Sequence, residues 1–208
     1  MMNFLKKTFL FTNKYFKENL LRHILIVGII LIISGIGAFF AVKSLPESVL
    51  GEIYAQISEI FQSKDVFNSD GTLSFGGIFL NNLQAGILIS ILGIIPFIFL
   101  PVFYVVLNSS LVGALLAIVG NFTEESVLMI LVKYILPHGI FEISALIIEG
   151  AMGVKLCAFL CRKIFGKAKE ESFLLHIKGF VGIFVYYIIP LLLVAAFIEA
   201  VVLSAIYL

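Results

Sequence analysis

The sequence predicts an all-α fold: a polytopic membrane helical bundle of five transmembrane helices, with short interfacial or re-entrant helices beside them. Three observations predict it. Of 208 residues, 61% are hydrophobic and only 13% are charged, with a mean hydropathy of +1.14, whereas soluble domains run roughly 45–50% apolar and about 25% charged. Several uncharged runs reach the roughly 20 residues needed to cross about 30 Å of hydrocarbon. Basic and acidic segments alternate between those runs. A soluble fold of this composition would expose wide patches of Phe, Ile and Leu, which excludes most soluble enzyme classes. A net charge of +1 argues against a nucleic-acid partner, because phosphate neutralisation needs a basic excess. Two cysteines cannot build a disulfide framework.

The elements follow in chain order, as parts of a single integral membrane domain over 1–208. Residues 1–22 are a basic segment in which Phe4, Phe9, Phe11, Tyr15, Phe16 and Leu20 interleave with Lys6, Lys7, Lys14 and Lys17. They fit either a helix resting among anionic headgroups or a plain positive flank that fixes topology. The uncharged run 24–42 follows. It is longer than the roughly 7–15 residues of a signal-peptide core and starts too far into the chain, so a first span at about 23–42 is expected. The stretch 43–75 is read as external. Ser44-Leu45-Pro46-Glu47 resembles a capping box, and Val49, Leu50, Ile53, Ile57, Ile60 and Phe61 recur at helical spacing. This predicts an amphipathic helix near 46–62, laid on the bilayer or on the outer end of the bundle, then a turn at Asn68-Ser69-Asp70-Gly71.

No charged residue occurs in 71–123, and Pro96 and Pro101 divide that stretch, since proline lacks the amide hydrogen and collides with the preceding turn. Spans at about 77–95 and 98–119 are expected, joined by a very tight turn. The block 126–161 would run roughly 54 Å as one helix, too long for one crossing. A span at 137–160 is therefore expected, with Pro137 in its first turn. Residues 126–136 then form a separate short element, interfacial or re-entrant. The last span is placed at 179–205.

Charge sets the expected orientation. Residues 1–23 carry Lys6, Lys7, Lys14, Lys17 and Arg22 against Glu18. Residues 155–178 carry Lys155, Arg162, Lys163, Lys167, Lys169 and Lys178 against Glu170 and Glu171. The 43–70 stretch is acidic on balance, and the turn at 120–126 holds Glu124 and Glu125. Lys and Arg accumulate on the cytoplasmic side. Five spans thus put both basic segments in the cytoplasm, with a cytoplasmic amino terminus and an external carboxyl terminus in the cell membrane.

Ionisable groups at membrane depth are costly unless they pair or meet water, so each is a site candidate. His138 and Glu142 lie four apart on one helix face. Glu149 joins the same stripe, about 16 Å deeper than His138. Counting from the loops brings Asn81 and Asn82 into the outer half of the second span and Asn108 midway along the third. Glu199 lies roughly 30 Å beyond Gly179, level with His138. The expected cluster is Asn82, His138, Glu142 and Glu199, with Asn108 and Glu149 below. The plainer role for such groups is to tie helices together, each contributing about 0.6 kcal/mol. His138-Gly139-Ile140-Phe141-Glu142 lacks the second histidine of a zincin motif. Only His138, Glu142 and Glu149 present themselves as metal ligands, no metal is assigned, and no cofactor is expected.

Small residues recur at helical spacing: Ser109, Gly113 and Ala117; Gly86 and Ser90; Gly28 and Gly35; Gly150 and Gly153. Such ladders let helix backbones approach and predict a compact bundle. Cys157 and Cys161 share a helix face and are read as free thiols packed among apolar neighbours.

Pro137-His138-Gly139-Ile140-Phe141-Glu142, with Ala145 and Gly150-Ala151-Met152-Gly153 after it, resembles the signature of the stage II sporulation protein M family. The uncharged pair of spans carrying Asn81-Asn82 and Asn108 fits the same pattern, and the resemblance covers essentially the whole chain. The family commonly has Asn-Gly where this chain has Asn108-Ser109. The resemblance implies a non-enzymatic membrane protein that anchors partners; in spore-forming bacteria these are peptidoglycan-degrading enzymes. It makes Pro137, His138, Gly139 and Glu142 the functional motif. Expected partners are the lipid bilayer and membrane proteins or further copies of the chain. The alternative is a small transporter or channel-like protein using His138, Glu142 and Glu149 for protons or a cation.

Overall fold

A computed structural model describes residues 2–62, 72–168 and 171–203. Among the described residues the architecture is helical, and five helices are long and apolar enough to cross a membrane: Leu21–Lys43, Phe75–Leu92, Leu100–Phe122, Val127–Ile164 and Phe173–Val201. The protein is a multi-pass membrane protein. α1 (Met2–Asn19), α2 (Leu21–Lys43), α3 (Glu47–Gln62), α4 (Phe75–Leu92) and α5 (Leu100–Phe122) come first.

The fourth span joins α6 (Val127–Ile130), a π-helical turn at Leu131–Ile135 and α7 (Leu136–Ile164). The fifth joins α8 (Phe173–Ile183), a π turn at Phe184–Ile188, α9 (Ile189–Phe197) and a last π turn at Ile198–Leu203. It begins six residues before the expected 179. The turn expected at Asn68-Ser69-Asp70-Gly71 lies outside the described residues.

The separate short element expected at 126–136 is not formed. The helix runs on from Val127 through Ile164, with Ser126 capping its start by accepting from the Met129 amide at 3.3 Å. The physical reason is the π turn. Pro137 cannot donate to the preceding turn, and its ring would strike a carbonyl there. Widening the turn just before it moves those carbonyls aside, so the helix continues instead of ending. Pro190 sits the same way, in the first turn of α9 after the π turn at Phe184–Ile188. Sequence alone points to a break at proline, and the two readings differ only in how the backbone absorbs it.

The fourth span is the central post. Of its most apolar stretch 67% is buried inside the molecule, against 11% for α2. Gly150, Ala151, Gly153 and Ala145 keep this helix thin, so neighbours close in from several sides. Val27 of α2 and Val105 of α5 meet Ala151 and Val154. Tyr15, Leu20, Ile183, Ile188 and Leu192 form a larger core with Ile148, Met152, Leu156 and Phe159.

The first span packs most extensively along α5, so the run 24–42 is a full member of the bundle. Its contact is built on Gly35 and Gly113: a side chain at Gly113 would collide with the Gly35 carbonyl. Ser109 keeps the approach close because its hydroxyl donates to the Leu31 carbonyl at 2.5 Å. The departure from Asn-Gly thus leaves the α2–α5 crossing intact. Gly28 has no such duty, as a Cβ there would meet only Ile147 Cδ1 at 3.8 Å.

The turn from α4 to α5 is strained as well as tight. Phe97 and Phe99 take φ of 71° and 50°, a left-handed conformation costing about 1–2 kcal/mol per residue outside glycine. The two cysteines of α7 brace it. Cys161 Sγ accepts from the Phe97 amide at 3.2 Å, and the Cys157 thiol donates to the Ile95 carbonyl at 3.5 Å.

α1 packs along α8 in antiparallel sense: Tyr15 lies at His176, Thr12 at Gly182, and Phe9 at Tyr186. Phe4, Leu5 and Leu10 remain exposed. At the opposite end α3 docks on α5 through Leu50, which is buried against Ile118 with Val42, Ile53 and Leu115 around it. The side chains of Ile57, Ile60 and Phe61 lie outside the described residues. Ser44 does not form a capping box. Its hydroxyl donates back to the Ala41 carbonyl at 2.7 Å, and the first amides of α3 bond the Pro46 carbonyl instead.

Candidate functional site

The polar residues of the motif converge because α4, α7 and the end of the fifth span pack together. On α7, His138 and Glu142 share a face one turn apart. The Asn82 side-chain amide of α4 donates to a carboxylate oxygen of Glu142. The Asn81 side-chain amide in turn donates to Asn82 Oδ1 at 3.3 Å, so two adjacent side-chain amides orient one acid. Glu199 arrives from the last π turn: one ligand-type atom from each of His138, Glu142 and Glu199 lies within 4.8 Å of the others. His138 Nδ1 is sealed from solvent with no hydrogen-bond partner.

Deeper along α7, Glu149 is 3% exposed, and its Oε1 has no hydrogen-bond partner. Its carboxyl fits against α4 only because residue 86 is glycine; a Cβ there would overlap it. Beside it lies a cavity of about 580 Å³. Leu31, Ile32, Ile36 and Phe40 of α2 supply much of the apolar wall, while Asn82, Asn108, Glu142 and Glu149 supply the polar face. Glu142 therefore belongs both to the His138 cluster and to the cavity.

The expected residues divide into three groups. His138, Glu142, Glu199 and Asn82 come together near one end of the bundle. Glu149 and Asn108 face the cavity, and the Asn108 amide also donates to the Tyr104 carbonyl at 2.9 Å. Pro137 and Gly139 shape the backbone. A Cβ at Gly139 would make only ordinary contact, the nearest atom being Ile135 Cγ2 at 3.4 Å, so no close approach explains that glycine.

A second polar constellation, at the opposite end, escapes sequence reasoning. Tyr15 Oη and His176 Nδ1 are 2.6 Å apart. His176 Nε2 lies 3.5 Å from Glu171, which also pairs with Arg162 at 2.9 Å. Burial first, and the Glu171 charge second, push the Tyr15 hydroxyl above the ordinary tyrosine range, so Tyr15 remains a proton-bearing partner. The contact joins residues 161 apart in the chain, and no local periodicity signals it.

The sequence model of the family described as Stage II sporulation protein M matches residues 18–202. An uncharacterized protein of Methanocaldococcus jannaschii is 31% identical over 156 residues, covering 72% of this chain and 85% of that protein. No solved structure matches.

Proposed function

The chain belongs to the stage II sporulation protein M family, and we propose that it is a non-enzymatic membrane scaffold that anchors a partner within the bilayer. The observation that carries this reading is the cavity of about 580 Å³, apolar on the α2 side and polar on the side of Asn82, Asn108, Glu142 and Glu149. A transmembrane helix offering a hydrogen-bond donor at that depth would meet both sides. Polar contacts of this kind contribute about 0.6–2 kcal/mol each in lipid and fix register as well as affinity. The motif itself ties α4 to α7 through Asn82 and Glu142, beside the polar face of the cavity.

A second reading, transport of protons or a cation, is favoured by one observation: the buried Glu149 oxygen without a partner beside the cavity. One experiment separates the two. A photoreactive side chain at Ile36, on the cavity wall, is expected to cross-link a single membrane-protein species in native membranes. The yield is expected to fall at least tenfold in a His138→Ala/Glu142→Gln pair that still folds. Purified wild type in proteoliposomes is expected to pass no protons or cations above empty vesicles. Flux in the wild type that vanishes in the pair would replace the scaffold reading with transport.

We propose further that the amino terminus is cytoplasmic and the carboxyl terminus external. The support is that α1 and the basic turn between α7 and α8 share one end of the bundle, through Tyr15, His176 and Glu171, as the rule for Lys and Arg requires. In intact cells a membrane-impermeant maleimide is expected to label Ser44→Cys. It is expected to label Lys167→Cys only after permeabilisation, with the native chain measuring the background of Cys157 and Cys161. The reverse pattern inverts the topology.

A further inference from the structure

We propose that His138, Glu142 and Glu199 bind one divalent transition-metal ion, Zn2+ or Mn2+, near the end of the bundle that carries α3. This goes beyond the scaffold reading and does not rest on it. Three groups of metal-ligating type, two from α7 and one from the distant end of the fifth span, present atoms within 4.8 Å of one another. Ligands bound at about 2.0–2.2 Å to one ion sit roughly 3–4.3 Å from each other, so small side-chain rotations close the set.

The surroundings fit such a site. The buried His138 Nδ1 lacks any hydrogen-bond partner, although an imidazole nitrogen inside a protein normally has one. Two carboxylates, Glu142 and Glu199, share the site. A cation between two neighbouring acids offsets their mutual repulsion. The Asn81–Asn82 amide relay holds the Glu142 carboxylate, the role that outer partners commonly play around ligating acids. Around Glu199, Ile78 packs against Ala196 and Ala200, forming an apolar shell of the kind that limits water at metal sites. One imidazole with two carboxylates suits Zn2+ or Mn2+ better than Ca2+ or a thiolate-seeking ion. Three protein ligands leave coordination positions open.

The sequence offers Glu149 as the third ligand because it lies on the stripe of His138 and Glu142. The structure replaces it with Glu199, brought in by the fifth span.

The test uses the full chain in detergent, stripped with EDTA, equilibrated with Zn2+ or Mn2+ and desalted, with bound metal counted by mass spectrometry. About one ion per chain is expected. His138→Gln and Glu199→Gln are each expected to weaken binding at least tenfold while eluting like the wild type, and Glu18→Gln at the other end is expected to change nothing. If a variant misfolds, X-ray absorption on the zinc-loaded wild type decides: one imidazole with oxygen donors supports the site. Sulfur donors would move the ion to Cys157 and Cys161 and overturn it. So would a monodisperse wild type that retains no metal, or folded variants that bind as tightly as the wild type. None of these readouts involves a partner, so failure of the metal site and failure of the scaffold reading remain distinct.

Discussion

Gly153→Leu is expected to abolish recovery of a folded, monodisperse protein, whereas Gly37→Leu is expected to behave as wild type. Residue 153 lies where α7 passes both the end of α4 and the start of α5. A Cβ built there would stand 2.6 Å from the Ile89 carbonyl oxygen and 2.6 and 2.7 Å from Pro101 carbons. None of those atoms belongs to a flexible side chain, so whole helices would have to part. From the other side, a Cβ at Gly93 would overlap the Gly153 backbone. Overfilling a packed interior costs about 1–3 kcal/mol and occasionally more. Here the added side chain would separate the central post from two neighbours at once, so a loss above about 3 kcal/mol is expected. Gly37 also lies on a spanning helix, yet nothing stands within 4 Å of a Cβ there, and exposed positions usually change stability by no more than about 0.5 kcal/mol. Thermal unfolding in micelles, followed by size-exclusion chromatography, measures both. Equal tolerance at the two positions would show that the α4–α7–α5 contact is not the one described.

The contrast between those glycines shows what the sequence could express. Composition and charge suffice for five membrane-crossing helices, because apolar length and the distribution of lysine are properties of single segments. Small-residue spacing marks Gly113 and Ser109 as contact-forming, and they are. The same spacing marks Gly28, which touches nothing closely, because a ladder tells that a backbone can be approached and not which neighbour approaches it. Pro137 shows a different limit. A proline is visible as a missing donor, but the choice between breaking the helix and widening one turn depends on what packs around residues 131–135. The site was legible where residues share a helix, as His138 and Glu142 do. Glu199 was legible only as a depth along its span. Tyr15 and His176 carried no signal, since only the packing of α1 on α8 makes them neighbours.

Gly86→Ala is expected to destabilise the wild-type chain by about 1–3 kcal/mol and to cost far less where Glu149 is already alanine. The added methyl would fall within the space of the Glu149 carboxyl, so that side chain must either turn into the adjoining cavity, losing its packing against α4, or push α4 off α7. Glu149→Ala empties the space, so the second substitution refills part of a void. Each pair in direct contact commonly shows a coupling of about 0.5–3 kcal/mol, and here its sign is fixed by geometry: the double variant is expected to be more stable than the two single losses added together. Four unfolding midpoints, for wild type, each single variant and the pair, give the coupling directly. A Gly86→Ala penalty of the same size in both backgrounds would place the carboxyl elsewhere, and with it the polar side of the cavity. The cycle also separates packing from function. If the pair shows the expected coupling and still folds while cross-linking from Ile36 is lost, the buried acid is required by what enters the cavity and not by the bundle that surrounds it.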